Sequence, residues 1–352
     1  MSVSTSRRSR FAGRLGSAVL LVAAILYVAA VAGVAIVPEL PKHPVRVAEQ
    51  HEPPTVHLPE SELMRYREFA ASPITSGAPV ILALHDVRPD TDNLYTVSPT
   101  RLAEYLTMLK EAGFHTVGQE ELVAWVNGAE LPPRSVVLTF DDGPQGLWEY
   151  ADPILEAHGM SAIAYIITDA VTDAATGYHL SWAEIEEMWR SGRWDLGSHT
   201  ASLHRRVHLD DINEEGSAMV HRERIPDENR LETAAEFEER VRTDLARSKQ
   251  AFVSRGLPEP TTFAWPFSEN QSRTGDVATA TRAHEIVGSM FDVQVISVFG
   301  NTKRSAPVSE LDRAAAVIPR ISVVSEMTAP QLFDSIVASL TAGAATPTVP
   351  QQ

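Results

Sequence analysis

Four short groups of residues in this 352-residue chain have types and spacing suited to hydrolytic chemistry. Thr139-Phe140-Asp141-Asp142-Gly143 ends the apolar run Val136–Phe140 in two adjacent carboxylates and a glycine. Neighbouring side chains diverge at a strand end, so one carboxylate could face a metal and the other a water. An ordinary Asp-Asp-Gly turn is the competing reading. Ser198-His199-Thr200-Ala201-Ser202-Leu203-His204 sets two histidines five residues apart after another strand-like run. Neutral imidazole is the commonest nitrogen ligand of metals, and two His with one carboxylate leave positions open for water and substrate. With 12 histidines in the chain, His208 close behind among them, chance proximity competes with this reading. Leu82-Ala83-Leu84-His85-Asp86 offers an imidazole at a strand end for general acid work, and taken alone it reads better as a loop histidine. Phe263-Ala264-Trp265-Pro266-Phe267 offers aromatic faces for a sugar pocket, and taken alone it reads better as a packed strand cap. Together the groups hold the ingredients of metal-assisted hydrolysis.

Each group follows a predicted strand, and the strands alternate with amphipathic helices. Strands are expected at Val80–Leu84, Val136–Phe140, Ala162–Ile167, Trp194–Gly197, Thr262–Trp265 and Val293–Val298. Ser98 with Pro99 opens one helix, whose stripe is Leu102, Tyr105, Leu106 and Leu109, and Gly113 ends it. Ser181-Trp182-Ala183-Glu184 is a capping box, and a long helix is expected over Glu232–Ser254. Asp210–Arg230 reads as a charged surface insertion. The alternation predicts an α/β fold with parallel strands, in which chemistry gathers at the C-terminal strand ends.

The organisation around this region is also legible. Leu15–Val37 carries no charge and is long enough to span a bilayer, after a basic segment, 1–14, with Arg7, Arg8, Arg10 and Arg14. Positive residues stay cytoplasmic, so an N-terminal transmembrane helix at 15–37 is expected to leave the rest of the chain outside the cell. A signal peptide cleaved near Ala30 and Ala32, giving a secreted protein, is the alternative, although its apolar region would be unusually long. Residues 38–78 read as a Pro-rich linker with a short helix at Glu60–Ala71, residues 79–340 as the catalytic domain, and residues 341–352 as a disordered tail.

The net charge of −16 excludes nucleic-acid binding through a general basic face, and a polyanion held by charge alone. The chain has no cysteine, which removes disulfides and thiolate chemistry, so any metal must be held by His, Asp or Glu.

The joint motif set resembles the NodB-type polysaccharide deacetylases, carbohydrate esterase family 4, over roughly residues 79–340. The resemblance implies a distorted (β/α)7-like barrel with one divalent metal, usually zinc. It implies that Asp142 binds this metal with His199 and His204, and that Asp141 is the base that deprotonates a water. Two departures narrow the resemblance. The family commonly spaces its histidines four apart, and it carries its acid histidine near the C-terminus, whereas this chain has no histidine after residue 290. Both features are similar to the poly-β-1,6-N-acetylglucosamine deacetylases of biofilm systems, whose barrel is circularly permuted. His85 is then the implied general acid. Asp86 could orient His85 or cap the next turn. Arg320, in Ile318-Pro319-Arg320, is a candidate partner for Asp141, against the commoner fate of a surface arginine. Trp265, Pro266 and Phe267 are the implied substrate-binding residues.

The expected activity is removal of N-acetyl groups from an extracellular or envelope polysaccharide, with an N-acetylglucosamine polymer favoured and a synthesis or export protein as a candidate partner. Peptidoglycan, chitin-like oligomers or an O-acetyl ester are alternatives on the same fold. A glycan-binding module without catalysis is an alternative of another class, disfavoured because a binder needs no base beside a metal.

Overall fold

Runs such as Val80–Leu84 and Ser135–Phe140 are buried at every position, which suits a parallel strand covered on both faces. The computed structural model describes residues 47–73, 77–90, 93–172, 177–209, 214–271, 274–297 and 308–342. Seven of its strands form one ring. They are β1 (Val80–Leu84), β2 (Ser135–Phe140), β3 (Ala162–Ile166), β4 (Trp194–Ser198), β5 (Thr262–Ala264), β6 (Val293–Ser297) and β7 (Val317–Ser322). Each pairs in parallel with the next, and β1 pairs with both β2 and β7, which closes the ring. The expected α/β barrel with seven parallel strands is therefore the observed architecture. A two-residue strand, His115–Thr116, adds to the start of β2.

Alternation along the strands sorts their side chains. Ile81, Val137, Ile163, Tyr165, Val295 and Ile318 belong to one cluster inside the ring. Their sequence neighbours Leu82, Leu138, Ala164 and Ile321 face outward into a cluster with the surrounding helices. Those helices are α1 (Glu60–Ala71), α2 (Pro99–Glu111), α3 (Gln119–Val126), α4 (Asp152–His158), α5 (Trp182–Arg190), α6 (Ala234–Val253), α7 (Val277–Met290), α8 (Glu310–Ala315) and α9 (Ala329–Ala342). Ser98 accepts from Arg101 N at the start of α2, and Ser181 forms the capping box of α5, as the sequence predicts.

Three segments differ from the sequence expectation. Within the stretch read as a linker, residues 47–72 are docked on the barrel: the Trp148 indole donates to Ala48 O, and Tyr66 on α1 is fully buried. The charged insertion is not only surface. Its two short antiparallel ribbons, Arg206–His208 with Glu215–Ser217 and Arg224–Ile225 with Arg230–Leu231, flank Ala218, Met219 and Val220, which are buried against α6 and α7. The third strand-ring closure, β7, and helix α9 carry the domain to Ala342, two residues into the expected tail. The transmembrane expectation for 15–37 falls outside the described residues. Among the described residues, no helix is long and apolar enough to cross a membrane.

Candidate active site

The inward parity of β1, β2 and β7 carries three charged groups to one end of the ring. Val137 and Thr139 face inward, so Asp141, two residues on, does as well. Ile81 does the same for His85, and Ile318 for Arg320. Asp141 is 3% exposed and Arg320 2% exposed. The guanidinium grips the carboxylate with both arms, Nη1 to Oδ1 at 2.7 Å and Nη2 to Oδ2 at 2.6 Å. Nη1 also donates to Thr139 Oγ1 at 2.9 Å. Arg320 is thus a buried partner of the expected base and not a surface residue. Burial alone would raise the Asp141 pKa, but Arg320, together with His199 and His85, outweighs it and holds the carboxyl below its usual range. His85 is pushed the other way: burial lowers its pKa, and the charges of Asp141 and Asp142 oppose that only in part. Its Nδ1 is buried with no hydrogen-bond partner, and its ring lies 4.8 Å from that of Tyr95.

Asp142 leaves the strand with a left-handed φ of 70°, which an Asp tolerates and which turns its side chain away from that of Asp141. Gly143 follows with φ 70°, and a Cβ there would stand 2.9 Å from Ile166 Cδ1. Asp142 Oδ1 lies 3.4 Å from His199 Nε2 and 3.3 Å from His204 Nε2. His199 comes straight off β4, its N–H donating to Ile166 O at 3.0 Å. His204 is brought back by a turn whose Thr200 has φ 76°, an unusual conformation for a β-branched residue and one often kept at functional sites. Asp244 on α6 holds that turn, accepting from Ala201 N, Ser202 N and Ser202 Oγ, each at 2.8 Å. Sequence reading missed Asp244. Its signal was a carboxylate on the buried stripe of α6, beside Val241 and Leu245.

These three side chains fit a metal. His199 Nδ1 lies 2.8 Å from the carbonyl of Ala264, which can only accept, so Nδ1 carries the hydrogen and Nε2 offers a lone pair. Two lone-pair donors and a carboxylate oxygen, all within 4.8 Å of one another, converge on one point. Ligands about 2.0–2.2 Å from a tetrahedral centre stand about 3.3–3.6 Å apart, as Asp142 Oδ1 does from each imidazole nitrogen. Without a cation the triad shares a proton. Burial opposes a charged His199, but its hydrogen bond to Asp142 and the charges of Asp141 and Asp142 outweigh that and raise its pKa. Burial and the neighbouring His199 push His204 down to about 4. Asp142 is held well below the carboxylate range, its burial outweighed by His199 and then His204.

Two expected site residues sit elsewhere. Trp265 is 1% exposed, because alternation puts it with Phe263 on the outer face of β5, and its indole donates to Gln294 Oε1 at 2.9 Å. It is a core residue and does not line the site. Pro266 is buried at the start of a short 3-10 turn. Phe267, with φ 57°, does reach the centre, its ring 4.4 Å from that of His204 and covered by the Arg206 guanidinium at 4.5 Å. Asp86 makes its contacts within its own loop. It accepts from Val87 N at 2.8 Å and pairs with Arg88 Nε at 2.6 Å, and no hydrogen bond between the described residues joins it to His85.

Known proteins resemble this chain in sequence and in fold. Residues 128–286 match the family model for polysaccharide deacetylases. The chain is 28% identical over 216 residues to a poly-beta-1,6-N-acetyl-D-glucosamine N-deacetylase of Escherichia coli K12, covering 57% of this chain and 32% of that protein. A protein of the same name from Staphylococcus epidermidis is 29% identical over 114 residues, 31% of this chain and 39% of that protein. The chain thus spans between a third and two fifths of the length of these curated relatives. The solved BpsB deacetylase domain from Bordetella bronchiseptica superposes with a TM-score of 0.56 at 26% identity, covering 72% of this chain and 98% of that one. A de-N-acetylase from Aggregatibacter actinomycetemcomitans, at 22% identity and a TM-score of 0.58, shares the fold over 73% of this chain and 98% of that one. With a deacetylase sequence match over residues 128–286, covering the strand ends that carry Asp141, Asp142, His199 and His204, and a barrel shared with solved deacetylases, the chain carries a region that resembles the polysaccharide deacetylases.

Proposed function

We propose that the chain removes N-acetyl groups from a polymer of N-acetylglucosamine, using one divalent cation, zinc by the donor set, held by Asp142, His199 and His204. The observation that carries this reading is the convergence of that triad beside a carboxylate kept ionised by Arg320. When bound, the cation supplies Lewis acidity to an acetamide carbonyl and to a water. The protein groups do the rest. Asp141, ionised at neutral pH and with lone pairs beyond the two that Arg320 occupies, accepts the proton of the attacking water. His85, carried to the same end of the ring, protonates the leaving nitrogen. Acetate and a free amine result.

The choice of polymer rests on the poly-beta-1,6-N-acetyl-D-glucosamine N-deacetylase activity for which the E. coli and S. epidermidis relatives are named and on the early position of His85 in the chain. For location, we place the barrel outside the cell, tethered by the apolar span Leu15–Val37, with a synthesis or export protein for its glycan as the expected partner.

The test is acetate release from N-acetylglucosamine oligomers by the purified protein, with and without a chelator. Chelation should abolish release and added zinc restore it; equal rates would refute the metal-dependent reading. Asp142→Ala should lose bound metal. Asp141→Asn should keep the metal and lose about 10²–10⁴ in kcat, the usual worth of a general base. A fully active Asp141→Asn would show that the base lies elsewhere.

A further inference from the structure

The proposed chemistry leaves the buried carboxylate of Asp86 unused. Asp86 is 1% exposed, follows directly on His85, and pairs with Arg88, a side chain about one third exposed. A carboxylate is costly to bury without a partner, so this pair fixes the position of Arg88. The Arg88 guanidinium in turn sits over the ring of Tyr178, 5.0 Å from its centroid. Tyr178 is one of the few large apolar side chains left open to solvent among the described residues, 47% exposed.

Its backbone is fastened to the turn that follows Asp142. Gln145 N donates to Tyr178 O at 2.7 Å, Leu180 N donates to Gly143 O at 3.0 Å, and His179 bridges Pro144. The same turn is locked to the loop after β1. A Cβ on Gly146 would fall 2.1 Å from Val87 O and 2.4 Å from Asp86 Oδ1, so only glycine allows the two loops to meet. Loops from β1, β2 and β3 are thereby knitted together, and the backbone of Tyr178 is tied to the loop that carries Asp142. An exposed aromatic ring fixed in this way, with a cation against it, offers a rigid apolar face at little entropic cost. The C–H face of a pyranose is its natural complement.

We propose that Tyr178, held by Arg88 and through it by Asp86, is a stacking platform for a second sugar ring of the polymer whose acetamide lies at the metal-binding triad. The inference rests on the deacetylase reading and adds that the site engages more than one residue of the glycan. Arg88 and Asp86 act through Tyr178 as positioning residues.

The experiment compares the N-acetylglucosamine monosaccharide with longer β-linked oligomers, measuring equilibrium binding by calorimetry and, separately, kcat and KM for acetate release. In the wild-type protein both affinity and kcat/KM should rise with chain length. Tyr178→Ala should reduce that rise about tenfold, through KM and Kd, as expected for loss of uniform binding. Tyr178→Phe should restore it, since the ring face remains. Asp86→Asn should reproduce part of the loss while keeping the wild-type metal content. Length dependence in Tyr178→Ala equal to wild type would overturn the platform and leave the deacetylase reading intact. Length-dependent binding lost in Tyr178→Ala, with no acetate released by the wild type, would support the platform and overturn the reaction. No binding of any oligomer by the wild type would overturn both.

Discussion

Arg320 and Asp141 meet across β1: the arginine stands on β7 and the carboxylate just beyond β2, the two strands that flank β1 in the ring, and two hydrogen bonds of 2.7 and 2.6 Å join them in full burial. A fork of this kind fixes the plane of the carboxylate as well as its charge.

Removing the fork should separate these two effects. In Arg320→Met, burial would dominate and raise the Asp141 pKa. Because the base works only when ionised, the acid limb of kcat/KM should move to higher pH. The sign for stability follows from the depressed pKa in the native protein. That contribution is present above the ordinary carboxylate value of about 3.9 and is lost as pH falls through the lower folded value. The variant lacks it, and a buried charge stripped of its partner costs about 3–5 kcal/mol. Arg320→Lys should fall between the two. An acid limb that stays in place in Arg320→Met would show that Arg320 does not tune the base.

The triad without its cation keeps a proton that the cation must displace. His199 has a raised pKa, while His204 at about 4 is already neutral near pH 6. Zinc binding near pH 6 should therefore release about one proton, and fewer as pH rises through the His199 value. Affinity should climb with pH over that range, up to about tenfold per unit, and then level off. Calorimetry in buffers of different ionisation enthalpy reads the proton count directly. Zero release at pH 6 would contradict the assigned protonation.

Asp244 should matter to metal affinity although it touches no ligand. Asp244→Ala leaves three donors of the His204 turn without their acceptor. Loss of such support around a metal site costs about 10–100-fold in affinity. Competition with a chromogenic chelator measures it. An unchanged zinc affinity would show that the turn is held by Thr200 and its neighbours alone.

Trp265 should behave as core. Trp265→Ala should destabilise by about 3–5 kcal/mol, while Trp265→Phe should lower the melting temperature modestly and leave KM for oligomers unchanged. A large rise in KM for Trp265→Phe would return this residue to the substrate pocket.

The residues assigned to the proposed chemistry were legible because each lies at the end of an apolar run that only a buried strand explains. Asp141, Asp142, His85, His199 and His204 could be read in this way, and the structure brings them to one end of the ring. The aromatic motif was legible only in part. Alternation on β5 decides that Trp265 faces outward, and a run as short as Thr262–Ala264 does not reveal which parity is inward. β7 escaped notice because Pro319 interrupts an otherwise strand-like run, and prolines weigh against a strand. Here Pro319 simply pairs in parallel with Ile296 while Ile318 and Arg320 turn inward. Missing that strand also hid why Arg320 is buried. The docking of residues 47–72 depends on tertiary contacts such as Tyr66 against Phe333, 267 positions apart, which no local pattern carries.

Closure of the ring between β1 and β7 has a consequence for how the protein is made. Asp141 is translated long before Arg320, so during synthesis its carboxylate has no counter-charge and the interior it belongs to has an open side. Only the last strand brings both the final wall and the arginine, and it does so in one step. A chain that stops short of Val317 is therefore neither a closed domain nor a centre with a tuned base. Closure of the ring and the pairing of Asp141 with Arg320 arrive together.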